Sequence, residues 1–147
     1  MSRLLLLAFL LCAGAVHAAE ARVLKVLPHL LDAKGRHTLS PSLYERDAYQ
    51  AQMRSHPDRV SGLRLDVLCS LPKPRPESAV IRLELRGAKD PKPVVVERPV
   101  KRGWFSRRWT EVVLSPAEYA QLGELSAWRV SLRDGDRELA SSTSFLW

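Results

Sequence analysis

The sequence predicts an all-β fold: an antiparallel β-sandwich of about seven strands, interrupted by two short helical insertions. Three observations carry this. Leu63 to Leu71 places an apolar residue at every odd position, and Val80 to Arg86 alternates Ile81, Leu83 and Leu85 with Arg82, Glu84 and Arg86. A period of two marks half-buried strands. Turn signals separate short apolar segments, the strongest being Asp134-Gly135. Strands and helices do not alternate along the chain, which argues against a parallel α/β sheet.

The chain opens with Arg3 and an apolar run of thirteen residues, Leu4 to Val16. Small residues follow at Val16-His17-Ala18 and at Ala19-Glu20-Ala21. This is the anatomy of a secretory signal peptide, with cleavage expected after Ala18. The run is too short to span a membrane, and Leu11 stands where a lipoprotein signal needs a small residue before Cys12. The expected organisation is a signal peptide over 1–18, then a single β-sandwich domain over 19–147, secreted or periplasmic. Cleavage would remove Cys12 and leave Cys69 without an intramolecular partner. It would also remove Arg3, lowering the net charge from +7 to +6. No later segment approaches eighteen consecutive apolar residues, so no transmembrane helix is expected in the mature chain.

In order along the domain, Arg22 to Leu27 reads as a first strand, leading into Pro28-His29-Leu30-Leu31. Asp32-Ala33-Lys34-Gly35 reads as a turn. Ser40-Pro41-Ser42 starts a helix, with Ser at the N-cap and Pro at the first helical position. The helix runs from Leu43 to about Arg54 and ends at His56-Pro57. Leu63 to Leu71 is the clearest strand, with Cys69 on its apolar face as a buried, inert thiol. The prolines of 72–76 make a stiff connector.

Val80 to Arg86 follows as a strand, then Val94 to Val100 as an edge strand bounded by Pro93 and Pro99, then Trp109 to Leu114. Ser115-Pro116-Ala117-Glu118 is a capping box for a short helix that Gly123 closes. Leu125 to Arg133 and Arg137 to Trp147 complete the set as a hairpin.

With Cys69 on the second strand and Trp128, Val130 and Leu132 on the inner face of the sixth, the pattern resembles an immunoglobulin-like or fibronectin-like sandwich. No cysteine lies opposite Cys69 on 125–133, so the resemblance implies a member without a disulfide. The segments 40–50, Ala127-Trp128-Arg129-Val130 and Ser144-Phe145-Leu146-Trp147 also look like small exported bacterial proteins of no assigned function. That likeness implies export and no particular chemistry.

No catalytic motif is present: no Gly-x-Ser-x-Gly, no phosphate-binding glycine loop and no His-Glu-x-x-His. His29, His37 and His56 do not pair with further ligands at helical or strand spacing, so neither metal nor cofactor is expected. A hydrolase built on His29 or His37 is the remote alternative.

The densest functional signal is the segment 98–109, with five cations and three aromatics in twelve residues. Within it, Arg102, Trp104, Phe105, Arg107, Arg108 and Trp109 form a candidate contact loop. Guanidinium groups fork phosphate oxygens, and aromatic rings insert at interfaces. Export directs that reading away from nucleic acid and toward an anionic component of the envelope. In the competing reading, Trp104 or Phe105 folds back over the open end of the sandwich.

On the helix, Tyr44, Ala48 and Ala51 share a stripe while Tyr49 and Met53 point away from it, making Tyr49 and Met53 a second candidate contact face. Against this stands a surface helix oriented by Arg46 and Asp47 pairs. Thr143 to Trp147 also resembles the last strand of an outer-membrane barrel, but barrels need at least eight strands of roughly ten residues. The same residues fit a sandwich whose last strand docks Phe145 or Trp147 in the core. The sequence therefore points to an exported, non-catalytic binding module of the bacterial envelope. The alternative is an accessory or inhibitor domain that binds a partner protein.

Overall fold

In the computed structural model, which describes residues 20–100 and 107–147, the chain is mostly β. Its elements are β1 (Arg22–Leu31), α1 (Leu43–Ser55), β2 (Gly62–Ser70), β3 (Ala79–Gly87), β4 (Val94–Pro99), β5 (Arg107–Val113), α2 (Pro116–Leu122), β6 (Leu125–Asp134) and β7 (Arg137–Thr143). A 3-10 turn at Pro57–Arg59 follows α1. The strands form two antiparallel sheets, one ordered β1-β2-β5 and the other β4-β3-β6-β7. Among the described residues no helix is long and apolar enough to cross a membrane.

The alternation in the sequence determines which side of each strand is buried. Leu63, Leu65, Val67 and Cys69 of β2 meet Ile81, Leu83 and Leu85 of β3 in one core, completed by Val96, Val112, Val130 and Leu132. A Leu or Val taken fully out of water contributes about 1.5–3 kcal/mol, so these rows supply the main driving force. Cys69 is fully buried and burial pushes its thiol pKa up, with the Arg75 charge working weakly the other way. The thiol therefore stays protonated, in agreement with an inert core position.

The chain crosses from one sheet to the other through the Pro-rich connector, in which Lys73–Pro74 is cis. The capping box of α2 forms as expected: Ser115 N donates to Glu118 Oε2 at 2.6 Å and Glu118 N donates to Ser115 Oγ at 3.2 Å. Gly123 then ends the helix with φ of 69°. Beside it, β3 passes so close to α2 that a Cβ on Gly87 would lie 2.0 Å from the Leu122 carbonyl oxygen. Only glycine fits there.

Three expectations need correction. The N-cap of α1 is Ser42, whose hydroxyl accepts from Glu45 N at 3.5 Å, so Pro41 precedes the helix rather than opening it. In the last hairpin Asp134 pairs with Arg137, which makes Gly135 and Asp136 the turn residues, with the positive φ of 57° at Gly135. The last strand stops at Thr143. Ser144 N donates to Trp128 O at 2.8 Å while Ser144 Oγ accepts from Trp128 N at 3.0 Å, closing the ladder. Beyond it Phe145 is fully exposed, and Trp147 lies under the Arg86 guanidinium at 4.2 Å rather than in the core.

β1 is an edge strand, so half of its backbone polar groups face away from β2. Pro28 has no N–H to leave unpaired. At Leu30 the edge is occupied by a side-chain amide: Leu30 N donates to Gln50 Oε1 at 2.8 Å, and Gln50 Nε2 donates to Leu30 O at 2.9 Å and to His37 O at 2.8 Å. Gln50 is 5% exposed and stands in for a neighbouring strand.

Gln50→Ala removes all three bonds and should cost about 2–4 kcal/mol in urea denaturation. A loss under 1 kcal/mol would show that water replaces the amide freely. Gly87→Ala should cost about 2–3 kcal/mol, because backbone rather than a flexible side chain must move; an unchanged midpoint would contradict the close approach.

Candidate functional site

Tyr49 and Met53 do not lie on the outer face of the helix. Met53 is 2% exposed and Tyr49 is half-buried, both turned toward the body of the protein with Gln50. Tyr44 is 83% exposed and Leu43 67%, so the apolar stripe with Ala48 and Ala51 is the outer face. The physical reason is the edge of β1. Its amide and carbonyl need polar partners, and Gln50 supplies them only if its own side of the helix packs inward. Arg46 and Asp47 form the expected surface pair at 3.1 Å.

Tyr49 instead belongs to a carboxylate hub. Asp32 Oδ1 accepts from Lys34 N at 2.8 Å and Arg36 N at 2.9 Å. Asp32 Oδ2 accepts from Arg36 Nε and from Tyr49 Oη, both at 2.8 Å. Ser61 Oγ donates to Asp32 O, tying the turn to the segment before β2. Burial works to raise the Asp32 pKa, but the bonds from Arg36, Tyr49 and Lys34 outweigh it and hold the carboxyl well below the usual range. The turn read at 32–35 is thus a polar anchor that fixes α1 to the end of β1.

The outer face of the β1-β2-β5 sheet divides in two. In its upper half the strand register brings His29 opposite Arg64, and Leu27 opposite Asp66, which in turn lies opposite Glu111. Arg64 clamps Asp66 with Nε to Oδ1 at 2.8 Å and Nη2 to Oδ2 at 3.0 Å, and reaches Glu111 at 3.2 Å. His29 Nε2 lies 3.5 Å from Asp66 Oδ2, and the His37 ring sits 5.0 Å from the His29 ring. Burial, opposed by Asp66 and assisted by His37, Arg46 and Arg64, lowers the His29 pKa. Burial first and Arg64 next lower that of His37, while Asp66 opposes them.

This cluster escapes a sequence reading because His29 and Asp66 meet only through pairing across strands. The one available signal was that Arg64 and Asp66 share the polar face of β2. His29 is 6% exposed, its ring set between Asp66 and the His37 ring. Among the described residues no group of three or more His, Cys, Asp or Glu could hold a metal ion.

The lower half carries uncompensated charge. Lys25, Leu68 and Trp109 lie in register across the three strands, and Arg22, Ser70 and Arg107 form the next row. Trp109 is 49% exposed and Leu24 40%. Arg22 reaches Glu20 only loosely, at 3.7 Å with both side chains exposed. Lys25 and Arg107 make no ion pair among the described residues.

Of the candidate contact loop, Arg107 and Trp109 thus lie on an exposed sheet face. Arg108 points the other way, opposite inward-facing Cys69, with its Nε buried. Arg102, Trp104 and Phe105 lie outside the described residues. The opposite sheet offers a contrast: on its outer face Arg82 pairs with Glu84 and Glu97, and Arg129 with Glu84 and Glu138.

Asp32→Asn tests the hub through its pH dependence. A carboxyl whose folded pKa is depressed stabilises above its ordinary value of 3.8 and loses that contribution as pH falls below it. The variant should be about 2 kcal/mol less stable at pH 7, and its urea midpoint should approach that of the parent progressively as pH falls below about 4. A gap independent of pH would show that Asp32 acts through shape alone. Compared with protein families, curated proteins and solved structures, the chain matches none.

Proposed function

We propose that the chain is an exported, non-catalytic binding module whose domain is an immunoglobulin-like or fibronectin-like sandwich. The contact surface is the basic, aromatic lower half of the β1-β2-β5 sheet, which includes Arg107 and Trp109 of the segment 98–109. The strand order supports the fold. A constant-type immunoglobulin sandwich sets its first, second, fourth and fifth strands on one sheet and its third, sixth and seventh on the other, and the variable type adds strands to the sheet of the third. Here β1, β2 and β5 occupy the first set, β3, β6 and β7 the second, and β4 the extra place.

The observation that carries the function is the row Lys25–Leu68–Trp109 beside Arg22–Ser70–Arg107, a flat patch with cations, a half-exposed indole and no acid in register. A flat array suits an extended anionic surface better than a small enclosed ligand, and phosphate-bearing envelope components supply one. The leader directs the protein to such a surface.

A second reading, attachment to a partner protein, draws on the exposed apolar residues Leu39, Leu43 and Tyr44. The two separate by salt. Electrostatic docking weakens steeply as ionic strength rises, whereas apolar docking through Tyr44 survives it.

The triple variant Arg22→Ser, Lys25→Ser and Arg107→Ser should bind vesicles containing anionic phospholipid roughly 100-fold less tightly at low salt, each cation near such a surface contributing about 1 kcal/mol. Zwitterionic vesicles should retain neither protein. Soluble polyphosphate as competitor distinguishes a polymer from a lipid source of the same phosphate chemistry. Equal retention of parent and variant on anionic vesicles would remove this surface from the function.

A further inference from the structure

The histidine cluster sits where the α1 unit meets the sheet. His37 lies in the segment leading to α1, and its carbonyl accepts from the same Gln50 amide that closes the edge of β1. His29 lies beneath it on β1, one residue before Leu30. Arg64 of β2 and Arg46 of α1 add positive charge around the pair. The acids that face it are Asp66 of β2 and Glu111 of β5, and the Arg64 guanidinium already engages both. Arg46 is paired outward with Asp47. One imidazolium could still draw on Asp66, but two would stand among two guanidiniums with no free carboxylate.

We propose that His29 and His37 make the α1 unit an acid-released clasp: protonating the pair loosens the 37–50 segment and frees the Leu30 N–H and C=O from Gln50. Burial and the nearby guanidiniums hold both imidazoles below their ordinary value of 6.5 in the closed form, and opening would relieve that. The open form therefore binds more protons below that pH, and acidification favours it. The Asp32 carboxylate stays ionised well below this range and keeps its bonds within the turn at 32–36, so opening at pH 5 is local and gives up only the bond from Tyr49. His56 is exposed and lies outside the cluster. What the clasp uncovers is a strand edge, the kind of backbone that pairs with an added strand.

The Leu30 amide reports the clasp directly, because its bond runs to Gln50 Oε1. Hydrogen exchange followed by NMR, corrected for the intrinsic pH dependence of exchange, should show its protection factor falling at least fivefold from pH 7.5 to pH 5.0. Protection at Leu83, deep in the core, should hold. In the His29→Asn, His37→Asn double variant the Leu30 value should no longer depend on pH. Should that variant fail to fold, His37→Gln alone, at the more accessible site, should at least halve the dependence. A Leu30 protection factor that is flat with pH in the parent overturns the proposal. So does a parallel fall at Leu83, which would indicate global unfolding, or a dependence that survives loss of the imidazoles.

Discussion

The constraint on which the arrangement depends is the open edge of β1. An edge strand buried under other parts of the chain must have its amides and carbonyls satisfied, since each one left without a partner costs about 1–3 kcal/mol. Gln50 meets that need at Leu30 with one donor and one acceptor, as a neighbouring strand would. The rest of the α1 unit follows. To aim Gln50 at the strand the helix turns its polar side inward, which brings Met53 into a buried site and leaves Leu43 and Tyr44 outside. The turn after β1 must then hold the helix at a fixed height, and Asp32 does so through Tyr49 and Arg36.

Charge follows the same division of the surface. On the four-stranded sheet, Arg82 and Arg129 are shared among Glu84, Glu97 and Glu138, so that face is closer to balance and suited to water. On the three-stranded sheet, the acids Asp66 and Glu111 lie in the half that carries the histidines, where Arg64 engages both. Away from that half the register sets Arg22, Lys25 and Arg107 around Leu68 and Trp109. Exposed pairs of the first kind contribute little to stability, so their value is to cancel field. The uncancelled rows are what distinguishes one face from the other.

Much of the β framework was legible because a strand buried on one face writes its environment into every second residue, as Leu63 to Leu71 does. The capping box of α2 was legible because both of its bonds are local. The orientation of α1 was not. Its apolar stripe suggested a buried Tyr44 and an outward Tyr49, yet the decisive partners, Leu30 and Asp32, are 20 and 17 residues away from theirs on α1. Phe145 misled in the same manner: an alternating pattern promised a strand, and Ser144 ended it by bonding twice to Trp128. Hydrophobic period decides faces where burial is the only demand. It fails where an unpaired backbone group makes a stronger one.

The two halves of the three-stranded sheet are linked electrically only at low salt. Lys25 lies four residues from His29 on β1, about 13 Å along the strand, and Arg107 lies farther still, two strands away, whereas the Debye length is about 8 Å at physiological salt. Protons taken up by His29 and His37 therefore act on the clasp above all, and raise the potential over Lys25 only as ionic strength falls. In dilute salt acid would strengthen attraction to an anionic surface and free the β1 edge in one step, because β1 carries both Lys25 and His29. Salt separates the effects: it screens the exposed rows, whereas repulsion among the largely buried His29, His37 and Arg64 persists. A binding response to acid that vanishes at high salt while the edge still opens would follow from this geometry, since the two share a strand but not a dielectric.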